Sequence, residues 1–134
     1  MDNAAIIIDT LEQVAAREGD PNQKIYEQLF KRHPEFEDMF VMDTDGGVQA
    51  SMLVSSLNCI IGVAEGDETP RNLLEAARMH HEGYGLQDKD IDIMFEVMRD
   101  VFRDILGERW TSANEGAWDW VLKELSDIGQ TNPA

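Results

Sequence analysis

Apolar side chains recur at intervals of three and four residues along nearly the whole chain, and that spacing leaves few folds open. The clearest run is IDIMFEVMRDVFRDIL, residues 91–106. Ile91, Met94, Phe95, Met98, Val101, Phe102 and Ile105 fall on one helical stripe, with Asp92, Glu96, Asp100 and Arg103 facing away. The last segment repeats the pattern through Ala117, Trp118, Val121, Leu122, Leu125 and Ile128. The apolar–polar alternation of a half-buried strand is absent. An all-α fold follows.

Start and stop signals agree with the stripes. DPNQ reads as a helix start, with Asp20 as N-cap, Pro21 at the first helical position and Gln23 as its capping partner. Thr69 and Pro70 repeat the device, and Ser112 and Glu115 stand at capping-box spacing. Glycines at 19, 46–47, 66, 83, 85 and 107 mark the breaks. The expected helices run over roughly 3–17, 21–33, 47–64, 70–82, 88–106 and 112–128, with a short turn helix at 34–39. Six long helices joined by loops this short must pack against each other. With 134 residues and no internal repeat, they form one domain, 1–134.

Charge narrows the partners. Asp and Glu number 27 against 11 Lys and Arg, a net charge of −16. Such a surface repels phosphate backbones and anionic lipid headgroups, so nucleic acid and membranes are excluded as expected partners. The lone cysteine, Cys59, has no partner for an internal disulfide, and its setting, SSLNCIIG, suits a small buried hydrophobe. The isoleucine run near the start is too short for a signal peptide or a membrane span. These features lead to the expectation of a reduced, cytoplasmic protein.

Two stretches carry candidate chemistry. EAARMHHEGYGL, residues 75–86, sets His80 beside His81. Neighbouring helical residues point about 100° apart, so both cannot face one pocket. Periodicity does not choose between them, and a zinc site lacks a second thiolate. DTDGG, residues 43–47, fails as a calcium loop, because the bidentate carboxylate position holds Val54. Trp118 fits the apolar stripe, and Trp120 sits off it.

The second stretch is IYEQLFKRHPEFEDMF, residues 25–40. Tyr26, Leu29, Phe30, Pro34, Glu35, Met39 and Phe40 fall in register with F-Y-x-x-[ML]-F-x-x-x-P-E-x-x-x-[IM]-F. After one deletion, GVQASML supplies Gln49 and Leu53, and HEGYGL matches H-x-x-x-G-[VL] through His81, Gly85 and Leu86. In these segments, over roughly residues 20–128, the chain resembles the globin family, most closely the bacterial single-domain globins and the globin part of flavohaemoglobins.

The resemblance implies a globin-like fold around haem b. It makes His81 the iron ligand and His80 its neighbour. The Nδ1–H of His81 would donate to the Ala77 carbonyl, fixing the ring and its tautomer. Phe40 would wedge against the haem face, and Arg78 is a candidate partner for a propionate. Tyr26 and Gln49 would lie over the gas-binding face, with Leu53 setting the size of the cavity. A phenol donor there would stabilise dioxygen by about 1–2 kcal/mol, roughly tenfold or more in dissociation rate. The implied activity is reversible binding of dioxygen and other diatomic gases such as NO and CO. No catalytic residue is assigned.

The likeness also has departures. Flavohaemoglobins buttress the proximal histidine with a tyrosine ten residues on, where this chain has Ile91, and no flavin or nicotinamide domain is recognisable. The alternative activity, nitric oxide dioxygenation, therefore requires a separate reductase. A third possibility is a haem-free globin-fold sensor or interaction module.

Overall fold

The computed structural model describes residues 2–19, 21–40, 47–66 and 88–128, and these are helical almost throughout. Five α-helices appear among them: α1 Asn3–Glu18, α2 Asn22–Arg32, α3 Gly47–Glu65, α4 Asp88–Leu106 and α5 Ser112–Asp127. A 3₁₀ segment, Pro34–Phe40, follows α2, and a shorter one, Gly107–Arg109, follows α4. The five helices and Pro34–Phe40 each lie within a residue or two of their expected spans, and Gly107–Arg109 is an addition to them. The helix expected over 70–82 lies outside the described residues.

The starts of two helices differ from expectation in an instructive way. Pro21 occupies the N-cap of α2 rather than its first turn, because its carbonyl accepts the first helical bond, from Ile25 N–H at 3.0 Å. No side chain caps α2, and Gln23 donates along the helix to Glu27 at 3.1 Å instead of reaching back. Asp20 lies outside the described residues. At α5 the cap is Thr111, one residue earlier than Ser112. Asn114 takes the partner's place, its Oδ1 accepting from the Thr111 N–H and hydroxyl, both at 2.9 Å. Glu115 is engaged elsewhere: its carboxylate accepts from Trp110 Nε1 and, at 3.3 Å, from Arg103.

Helix α1 begins with Asp2 accepting from the Ala5 N–H at 2.8 Å. It ends at Gly19, whose φ of +74° lies in the region that side chains with a Cβ avoid. Its buried residues, Ile7, Thr10 and Val14, face α3, α4 and α5. Helix α2 crosses α4 and α3, and α3 also packs on α5.

The core joins these faces. On α4, Met94, Phe95, Met98, Val101 and Phe102 are buried as the stripe requires, and Val97 and Leu106 join them, so the buried face is broader than the stripe alone. On α5, Ala117, Trp118, Val121, Leu125 and Ile128 are buried, while Leu122 and Trp120 are half-buried. Phe102 meets the fully buried Trp118 edge to face, with ring centres 5.6 Å apart. Cys59 is half-buried rather than a fully buried hydrophobe, because α3 presents it at the margin of its packed face.

One polar chain runs through this core. Asn114 Nδ2 donates to Thr10 Oγ1 at 2.9 Å, across 104 residues of sequence. The Thr10 hydroxyl donates onward to the Ile6 carbonyl at 2.7 Å. Thr10 and Asn114 are the two buried polar residues among the described ones. The capping partner of α5, Asn114, is thus also its tether to α1.

Candidate functional site

Helices α2 and α3 carry three of the candidate residues and bring two of them into contact. Tyr26 sits in the middle of α2, one turn from Phe30, and their rings pack with centres 5.8 Å apart. The tyrosine is only 3 % exposed, so its hydroxyl needs an internal partner. It finds one across the helix crossing, donating to the main-chain carbonyl of Gln49 at 2.7 Å. Gln49 lies in the first turn of α3 and is half-buried. Leu53, one helical turn further on, is buried. Tyr26 thus meets Gln49 through the main-chain carbonyl, and a side-chain pattern carries no signal for a main-chain acceptor.

Helix α3 is itself unusual. From Gly47 to Ala64 it carries no charged side chain, in a chain where acids and bases make up 28 % of residues. Leu53, Ile60, Val63 and Ala64 are buried, Met52 and Leu57 are half-buried, and Val54 is 57 % exposed. A helix apolar on so many sides has more to cover than one neighbouring helix can hide.

The 3₁₀ segment fixes the chain after α2. Phe36 is its buried anchor, and its ring packs against that of His33, with centres 5.5 Å apart. His33 Nδ1 lies 3.4 Å from a Glu35 carboxylate oxygen. The backbone of Phe40 closes the segment, but its side chain lies outside what is described, as do His80, His81 and Arg78. Their assigned roles stand apart from this geometry. Among the described residues, no group of three His, Cys, Asp or Glu side chains could hold a metal ion.

The orientation of α2 is held by charge as well as by packing. Asp100, on α4, accepts from Arg32 of α2 at 2.7 Å, from Arg99 at 2.7 Å and from Arg103 at 3.1 Å. Arg99 and Arg103 reach on to Asp119 and Glu115 of α5, each at 3.3 Å. Burial works to raise the Asp100 pKa. The hydrogen bonds from Arg32 and Arg99, with the charges of Arg99 and Arg103, outweigh it and hold the carboxyl below its ordinary value. Asp100 and Arg103, read as the solvent face of α4, are half-buried parts of a clamp joining α2, α4 and α5. Their spacing along α4 shows only that they share a face. The arrival of Arg32 from 68 residues away is a matter of tertiary structure.

Of the residues gathered around this crossing, Tyr26 and Leu53 are buried, while Phe30 and Gln49 are half-buried. Among the described residues, no helix is long and apolar enough to cross a membrane. Comparison with known families gives one finding: the family described as Globin matches residues 23–128, from the start of α2 to the end of α5. No curated protein and no solved structure matches the chain.

Proposed function

Because the chain belongs to the globin family, we propose that it holds haem b and reversibly binds dioxygen and other diatomic gases. One observation supports the reading most: a buried tyrosine whose hydroxyl reaches from α2 to the first turn of α3, the helix that carries Leu53 and no charged side chain from Gly47 to Ala64. The hydroxyl's bond to the Gln49 carbonyl contributes on the order of 1 kcal/mol that a phenylalanine would not supply, and the same donor would serve a polarised gas molecule.

His81 would hold the iron, Phe40 would pack against the haem, and Arg78 would pair with a propionate. When bound, haem would supply an iron able to take a small gas molecule. The protein's own contribution is environment. Tyr26 offers a proton to a gas that has gained negative charge, Gln49 offers a second donor, and Leu53 bounds the space. In a site from which water is excluded, such donors count for more than they would in solvent.

An absorption spectrum of the purified protein, reduced and then exposed to carbon monoxide, tests this directly. The expected result is a haem spectrum that shifts on adding the gas. A preparation that stays colourless after haem is offered would overturn the proposal.

A further inference from the structure

Tyr26 has one phenolic proton, and its direction is unambiguous. A carbonyl oxygen can only accept, so in the 2.7 Å contact with Gln49 the tyrosine must be the donor. The acceptor is main chain in the opening turn of α3, the helix that also carries the buried Leu53. The same proton is the one a gas molecule would need, and it cannot serve both. We propose that the Tyr26 hydroxyl is a two-position donor: it rests on the Gln49 carbonyl and leaves it only for a pocket occupant that accepts more strongly, so that occupancy releases the first turn of α3. This inference rests on the gas-binding reading above.

Three consequences follow from the competition. Retention of a gas reflects the difference between two acceptors, so Tyr26 contributes less than a phenol with no resting partner. Charge-assisted hydrogen bonds are roughly twice as strong as neutral ones, so a gas that draws negative charge wins the proton. Dioxygen is such a gas, and carbon monoxide, a weak acceptor, is not. The Gln49 carbonyl thus sets a threshold that favours dioxygen. Release of that carbonyl also takes a cross-helix restraint from α3 at the end nearest Gln49, so the helix senses what the pocket holds.

Hydrogen–deuterium exchange of the α3 amides over residues 47–53 reads the bond without reference to gas affinity. In the gas-free protein, Tyr26→Phe should speed exchange in that turn by roughly three- to tenfold, the effect of one lost hydrogen bond. In the wild-type protein, dioxygen should speed exchange towards the Tyr26→Phe level and carbon monoxide should not. Exchange indifferent to Tyr26→Phe overturns the proposal, and so does an equal response to the two gases. A loaded protein whose spectrum responds to gas while α3 does not defeats the two-position donor alone. A chain that takes up no haem defeats it together with the gas-binding reading.

Discussion

The tether between α1 and α5 gives the sharpest stability prediction. Thr10→Val keeps the shape of a fully buried side chain and removes its hydroxyl. Asn114 Nδ2 then loses its acceptor in a site only 7 % exposed. Leaving a buried donor unsatisfied costs about 1–3 kcal/mol. The bond from Thr10 to the Ile6 carbonyl is a local back-bond that adds little to a helix. The expected loss is therefore about 2 kcal/mol, roughly 8 °C in melting temperature for a domain of this size. Asn114→Ala loses the same cross-helix bond and both bonds at the Thr111 cap. With about 1 kcal/mol for the cap, its cost should be roughly 2–3 kcal/mol. The double variant decides the matter. Once Asn114 is absent, removing the Thr10 hydroxyl strands nothing, so the pair should cost less than the sum by about 1–2 kcal/mol. Urea unfolding followed by far-ultraviolet circular dichroism, at one fixed haem occupancy, measures all four corners of the cycle. Strict additivity, or a Thr10→Val loss below about 0.5 kcal/mol, would refute the reasoning.

Three further outcomes are expected. Asp100→Asn should destabilise the protein at neutral pH by about 1 kcal/mol, modest because the network is partly exposed. The folded Asp100 pKa is depressed, so its contribution is complete above the unfolded value of about 3.9 and disappears as pH falls through the lower folded value. Urea midpoints of the two proteins should therefore converge only in strong acid, and a constant gap down the whole acid limb would contradict this. His81→Ala should abolish or weaken haem uptake and His80→Ala should not, read from the absorption spectrum; the reverse pattern would move the assignment by one residue. Tyr26→Phe should speed dioxygen release in stopped-flow measurements by roughly fivefold, the difference between a charge-assisted and a neutral acceptor. An unchanged rate would remove the hydroxyl from the gas site.

The helices were legible because helix formation is governed by neighbours along the chain. The stripe from Ile91 to Ile105 lies within α4, Asp88–Leu106, and the buried Met94, Met98, Val101 and Phe102 confirm which way it turns. The globin resemblance names Tyr26, Gln49 and Leu53 as companions, and the crossing of α2 on α3 joins Tyr26 to the main chain of Gln49. Caps were harder to place, since Asp, Pro, Thr and Ser all suit a helix start, and one residue of slip at Thr111 leaves every local preference satisfied. Only the tertiary structure could reveal the rest. The Thr10–Asn114 tether, the gathering of Arg32 onto Asp100 and the commitment of the Tyr26 proton to a main-chain carbonyl each join atoms from different helices. Periodicity reports which face of a helix is covered. What covers it depends on how the helices cross, and main-chain oxygens are identical in every sequence.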